Sequence, residues 1–204
     1  MRSEFITAIN FHQAAFGLNL AAAIERLADY YELINEHNPI LHLVGPCSPE
    51  EFAIRHILES LTLLDYLPTG AKFADVGTGA GLPSIPCLLV RADLNAVLIE
   101  SKVKKAGFLR MALTTFGLND RVQLFNAQFS EAEKPGLSFI TCRALDKFSD
   151  KLPHLLKWSG TCDLLLFGGD SLRNALIAAR VAFIEKLLPM SQQRFLFLVS
   201  NRKR

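Results

Sequence analysis

"FADVGTGAGLPSIP", residues 73–86, sets glycine at 77, 79 and 81 directly behind a strand-like run. Glycine inside a packed element costs roughly 0.5–1 kcal/mol relative to alanine, so three in five residues need a cause. The usual one is a ligand that must touch backbone. In an open parallel sheet, ligands bind beyond the carboxyl ends of the strands. The glycines fall there if 72–77 is the first strand. Pro83 then occupies the first helical turn, a position that proline tolerates well.

Working outward, the next strand-like run, "NAVLIE" at 95–100, ends in Glu100, nineteen residues beyond Gly81. A carboxylate there can accept hydrogen bonds from both hydroxyls of a ribose. The plainer alternative is a cap for the helix that starts at Ser101. Glycine loop and acid together indicate an adenosine-bearing ligand. Dinucleotides are held by GxGxxG, whereas this loop reads GxGxG and is followed by bulky Leu82. Asp75 adds a fixed negative charge at the strand end, unhelpful beside phosphates but suited to a cation. S-adenosylmethionine carries a sulfonium and an ammonium and no phosphate, so it is preferred to NAD, and an NAD-dependent oxidoreductase ranks last.

The 204 residues are half hydrophobic, enough for one α/β unit with a sizeable core and a modest appendage. Net charge is only +2, so the distribution of charge matters more than its sum. Cys47, Cys87, Cys142 and Cys162 form no CxxC pair, and three lie in apolar runs. Buried reduced thiols, with no metal site, are expected, which suits the cytoplasm. Ala14–Ile24 resembles a signal-peptide core, but Glu4 precedes it and Glu25, Arg26 and Asp29 continue it as an amphipathic helix. No run reaches the roughly 18 apolar residues of a membrane span, so a soluble protein without membrane association is expected.

Two regimes divide the chain. Residues 1–66 read as a helical extension. Leu20, Ile24, Leu27, Tyr31 and Ile34 recur at helical spacing up to Asn38-Pro39, and Ser48 caps a second long helix with Glu50 and Glu51 in its first turn. Residues 67–204 alternate strands (72–77, 95–100, 121–126, 137–142, 161–167) with helices (83–91, 102–116, 149–157). That alternation predicts a parallel sheet with helices on both faces. Residues 171–179 read as helix, 181–188 as helix or strand, and "RFLFLV" at 194–199 as the last strand of a closing hairpin.

"RHILESL" (55–61), "DVGTGAGLPSIP" (75–86), "IESKVKKAGFLR" (99–110) and "CRAL" (142–145) resemble the small-subunit ribosomal RNA methyltransferase G family, also called glucose-inhibited division protein B. The blocks agree in order and spacing over roughly 25–200. The resemblance implies a Rossmann-like class I S-adenosylmethionine-dependent methyltransferase fold with an N-terminal helical extension. It also implies methylation of guanine N7 in small-subunit ribosomal RNA, so the implied partner is that RNA or the small ribosomal subunit, with no obligate protein partner. Carried over by position, Gly77 and Leu82 match cofactor contacts in the loop, Glu100 the ribose acid, Phe129 and Ser130 a pair near the adenine, and Arg143 the arginine of "SRA". The chain departs from the family at Ser130 (an acid there), at His42-Leu43-Val44 (for "NLT") and at Gly168 (for lysine).

Guanine N7 has a free lone pair, so no base need remove a proton before attack; the site must supply alignment. The expected positioning residues are Arg55, His56, Ser60 and Arg143, with Asp75, Gly77, Gly79, Gly81, Leu82, Glu100, Phe129, Ser130 and Arg143 toward the cofactor. Lys102, Lys105 and Arg110, on a basic helix with Lys104, are expected to track RNA phosphates, with the terminal Arg202, Lys203 and Arg204. Phe148 and Trp158 read as core. A small-molecule methyltransferase predicts instead a closed pocket without a basic rim. A catalytically inactive S-adenosylmethionine-binding paralogue is the third reading, motivated by Ser130 and Gly168.

Overall fold

The computed structural model describes residues 1–133, 136–143 and 148–201. Its centre is a seven-stranded sheet: β1 Lys72–Val76, β2 Asn95–Ile99, β3 Val122–Phe125, β4 Phe139–Arg143, β5 Asp163–Gly168, β6 Ile184–Leu187 and β7 Phe195–Val199. The spatial order is β3-β2-β1-β4-β5-β7-β6. The first five strands are parallel, while β7 runs antiparallel to β5 and β6 antiparallel to β7. All five predicted strands and the closing hairpin are present, and the ambiguous 181–188 holds β6. This is the Rossmann-like arrangement, closed by an antiparallel hairpin, that the sequence led us to expect.

Strand side chains alternate between faces, and each face has its own helical layer. Phe73, Ala96 and Leu98 face a core shared with α1 (Arg2–His12), α2 (Ile24–Leu41), α5 (Ser84–Val90) and α6 (Val103–Thr115). Ala74, Val76, Val97 and Ile99 face the opposite core, with Leu152 and Leu155 of α7 (Phe148–Ser159) and Leu172 and Leu176 of α8 (Asp170–Ala178). Phe5, Ile9, Leu27 and Tyr31 of the N-terminal helices thus join the packing against the sheet.

Three local departures from the sequence reading matter. Leu20, although buried, lies in the turn before α2. That helix continues past Pro39 to Leu41, where His42 turns left-handed and donates its N–H to the Asn38 carbonyl at 3.0 Å. The predicted second helix is not uniform. Ser48 and Glu51 form a reciprocal capping box before α3 (Pro49–Phe52). Residues Ala53–Leu58 are then π-helical, followed by α4 (Glu59–Leu61) and a 3₁₀ turn, Thr62–Asp65. A π segment widens the turn and re-aims the side chains within it, here Arg55 and His56.

The four cysteines are free thiols, three of them buried. Among the described residues no helix is long and apolar enough to cross a membrane, and no cluster of His, Cys, Asp or Glu could hold a metal.

Candidate active site

A cleft of about 320 Å³ opens at the carboxyl ends of β1, β2 and β4. Its wall includes Gly77, Thr78, Gly79, Ala80 and Leu82 of the glycine loop, with Glu100, Lys102, Lys105, His56 and Arg143 around them. The volume falls in the range of small-ligand sites.

The three glycines share positive φ, +68° at Gly77, +61° at Gly79 and +93° at Gly81, a region that L side chains rarely enter. Beyond that their reasons differ. A β-carbon on Gly81 would lie 2.4 Å from Ile85 Cδ1 and 3.2 Å from the Tyr30 hydroxyl, so this glycine serves close packing. A β-carbon on Gly79 would meet only the Gly77 carbonyl oxygen, at 3.9 Å, and otherwise open space. Backbone is therefore accessible to a ligand at Gly79. The loop is held from three sides. Gly77 N–H donates to the Ile99 carbonyl at 2.9 Å, and the buried Tyr30 hydroxyl to the Ala80 carbonyl at 2.6 Å. From below, Asp75 Oδ2 accepts from the Thr78 and Ser84 hydroxyls at 2.6 and 2.7 Å.

Asp75 corrects one expectation. It is fully buried, away from the cleft wall, and burial pushes its carboxyl up to about 7. It braces the loop from within and is not a fixed charge facing a cation. Glu100 is also buried, but it reaches the wall. Its Oε2 accepts from Gly79 N–H at 3.0 Å and its Oε1 from Lys102 N–H at 2.8 Å. Glu100 thus ties the glycine loop to the segment entering α6 without capping that helix, whose N-cap is Lys102, and each carboxylate oxygen keeps lone-pair capacity after one backbone bond.

Opposite the loop, the π segment carries His56 to the cleft wall, packed on Phe52 with ring centroids 5.0 Å apart. Its Nδ1 is buried without a partner. Burial, reinforced by Arg143, Arg55 and Arg194, holds its pKa down to about 3, so the ring is neutral near pH 7. Arg143 donates to Ser60 Oγ at 3.2 Å, to Glu59 Oε2 at 3.4 Å and to the Arg55 carbonyl, and its guanidinium lies 5.7 Å from the Phe167 ring centroid. Glu59 Oε1 accepts from Arg194 Nε at 2.7 Å. One buried carboxylate thus ties together two arginines from distant parts of the chain, of which Arg143 reaches the cleft wall.

The structure brings Gly77, Gly79, Leu82, Glu100, His56, Arg143, Lys102 and Lys105 to one cleft. Other predicted residues lie off its wall. Arg55 points outward and pairs with Glu51 at 3.3 Å. Ser60 is buried beneath Arg143, and Gly81 lies within the loop packing. Arg110 is exposed farther along α6. Phe129 packs on Trp158, with centroids 5.7 Å apart, while Ser130 is exposed. Trp158 is core-associated as expected, its indole donating to the Ala132 carbonyl at 3.3 Å. Arg202, Lys203 and Arg204, and Ala144 and Leu145 of "CRAL", lie outside the described residues.

Sequence reading missed Glu59, Arg194, Thr78 and Lys151. It also missed the clamp by which the Asn38 amide holds Val44 through both backbone groups, at 2.9 and 3.1 Å, so that Leu43–Gly45 border the cleft. Glu59 left a signal of burial, an acid within the run Ile57, Leu58, Ser60 and Leu61. At Gly168 a β-carbon would sit 2.6 Å from Leu172 Cδ2, so the glycine there fits the close packing of α8.

Residues 23–194 match the family model described as rRNA small subunit methyltransferase G. A Halorhodospira halophila protein named ribosomal RNA small subunit methyltransferase G is 34% identical over 170 residues, covering 82% of this chain and 79% of its own. Among solved structures, M. capricolum TrmK in complex with S-adenosyl-homocysteine superposes with a TM-score of 0.56 at 14% identity, covering 71% of this chain and 68% of that one. The mitomycin 7-O-methyltransferase MmcR gives 0.60 at 16% identity, covering 84% and 60%. A B. subtilis structure named M1A22 tRNA methyltransferase TrmK also superposes, with a TM-score of 0.54 at 19% identity, covering 71% of this chain and 66% of that one, so the fold alone does not choose between RNA and small molecules.

Proposed function

Because the chain belongs to the rRNA small subunit methyltransferase G family, we propose that it methylates guanine N7 of small-subunit ribosomal RNA with S-adenosylmethionine. The observation that carries the cofactor reading is the pairing of open space over Gly79 with the Glu100 carboxylate held 3.0 Å from that residue's N–H. Glu100 would accept from the ribose hydroxyls, and the backbone at Gly77 and Gly79 would lie against the remainder of the ligand. When bound, S-adenosylmethionine supplies a methyl group activated by its sulfonium.

The protein's own task is then alignment and charge. Guanine N7 needs no deprotonation, so the proposed reaction calls for no general base. His56, neutral near pH 7, neither repels the cationic donor nor must shed a proton before it can accept a hydrogen bond. Arg143, oriented by Glu59 and Ser60, is the positioning group that we assign to the incoming nucleotide. The basic wall favours an anionic substrate over a neutral small molecule.

Calorimetric titration with S-adenosylmethionine, S-adenosylhomocysteine and NAD, followed by methylation assays on small-subunit particles and on free RNA, tests this reading. Glu100→Ala removes charge-assisted hydrogen bonds worth on the order of 1.5–3 kcal/mol, so donor affinity should fall roughly 10–150-fold. Unchanged affinity in a folded variant would sink the ribose assignment. A Lys102→Ala, Lys105→Ala double variant should keep its donor affinity yet bind ribosomal RNA more weakly and with a shallower salt dependence. Parent-like slopes would reduce these two lysines to solvated surface.

A further inference from the structure

The N-terminal helices reach the glycine loop through one side chain. Tyr30, in the second turn of α2, is fully buried, and its hydroxyl donates to the Ala80 carbonyl at 2.6 Å across fifty residues of chain. Burial, with Asp75 nearby, raises its pKa well above the ordinary tyrosine value, so the hydroxyl keeps the proton that it donates. Ala80 is itself buried and stands on the cleft wall beside Gly79. From the loop's side, a β-carbon on Gly81 would crowd that hydroxyl at 3.2 Å, so the third glycine leaves room for Tyr30 as well as for Ile85. The Tyr30 ring also meets Phe116, the residue that ends α6, edge-on with centroids 6.0 Å apart. One turn earlier, Arg26 donates to the Phe116 carbonyl at 2.9 Å. The helix α2 thus holds both the loop and the far end of the helix that begins beside Glu100.

A loop with three glycines at positive φ has much backbone freedom to lose, and a ligand that had to order it would bind more weakly. Braces from the sheet act on residues 77–79: Gly77 N–H on Ile99, the Thr78 hydroxyl on Asp75 and Gly79 N–H on Glu100. The Ala80 carbonyl is left to Tyr30. We propose that Tyr30 is a positioning residue for the methyl donor. Its hydroxyl fixes the Ala80 carbonyl and so holds the loop, before the ligand arrives, in the form that presents Gly79 to it. The N-terminal helices are then a working part of the cofactor site and not an appendage to it. This rests on the cofactor reading above and adds to it a residue from outside the sheet and its loop.

Tyr30→Phe keeps the buried ring and removes only the hydroxyl. Tyr31→Phe is the control, a neighbouring buried tyrosine whose ring packs on Phe5 and Phe52, with centroids 4.6 and 4.9 Å apart. Calorimetric titration of the full chain with S-adenosylmethionine should show binding weakened about 5–30-fold in Tyr30→Phe, the effect of one lost buried hydrogen bond on the loop's equilibrium. Tyr31→Phe should bind like the parent. In donor-free protein, the Gly81 and Leu82 N–H groups donate to the Thr78 carbonyl at 2.8 and 3.1 Å. Their hydrogen exchange should be faster in Tyr30→Phe alone. In methyl transfer the donor KM should rise while the RNA KM, and kcat at saturating donor, stay parental, a split that general destabilisation does not produce. Parental donor affinity in a folded Tyr30→Phe overturns the brace and leaves the cofactor reading intact. Equal weakening in Tyr31→Phe overturns it too, by showing only a loosened helical layer. If the parent itself binds no S-adenosylmethionine, the brace and the cofactor reading fall together.

Discussion

Glu59→Leu should cost the fold about 3–5 kcal/mol, the range for removing one partner of a buried ion pair. The carboxylate is 1% exposed, and it is the anion between Arg143, at 15%, and Arg194, at 38%. Removing it leaves the Arg143 guanidinium in a site that excludes most water, facing Arg194 without compensation. Arg194 can turn toward solvent; Arg143 is tied down by Ser60 and the Arg55 carbonyl. A Glu59→Leu, Arg143→Leu double variant should recover most of the lost stability, because a buried pair replaced by apolar side chains is often neutral. That variant should remain folded but lose methyl transfer. Urea unfolding at pH 7 gives the stabilities, and a transfer assay separates the two effects. If the single variant unfolds at the parental midpoint, the cluster carries no stability. If the double variant transfers methyl groups normally, Arg143 has no positioning role.

That cluster marks where the sequence stops being legible. The centre of the sheet was readable because β1, β2, β4 and β5 are covered on both faces and appear as apolar runs separated by turn residues. The cleft was readable at Gly79 and Glu100, since strand ends in such a sheet fix where a loop and an acid must meet. Glu59 was not readable as a hub. Its two partners lie 84 and 135 residues away, and no local pattern announces a pairing of that range. The π segment escaped for another reason. Four-residue spacing puts His56 and Ser60 on one α-helical face, yet the widened turn takes His56 to the cleft wall and leaves Ser60 buried under Arg143. Asp75 misled because a carboxylate at a strand end looks ligand-facing. Only the structure shows the Thr78 and Ser84 hydroxyls folding back onto it.

Gly79→Val should abolish donor binding while the fold survives. Valine at φ near +61° incurs the left-handed penalty, roughly 1–2 kcal/mol. For a chain of this size that lowers the melting temperature by about 2–8 °C, since each 1 kcal/mol shifts it 2–4 °C. No neighbour need move to admit the β-carbon, which meets only a carbonyl oxygen at 3.9 Å. The branched methyls would instead occupy the space above the loop and disturb the N–H that donates to Glu100. Both effects fall on the ligand, so affinity for S-adenosylmethionine should drop by at least about 100-fold, the factor equivalent to roughly 2.7 kcal/mol. Gly81→Ala is the informative contrast. Its β-carbon would press within 2.4 Å of Ile85, a fully buried side chain, so the damage should appear as lost stability of α5 and the N-terminal packing. Calorimetric titration and thermal unfolding on both variants separate a ligand-facing glycine from a packing one. If Gly79→Val binds the donor like the parent, the loop's glycines answer to backbone conformation and packing alone, and the ligand must be sought elsewhere on the cleft wall.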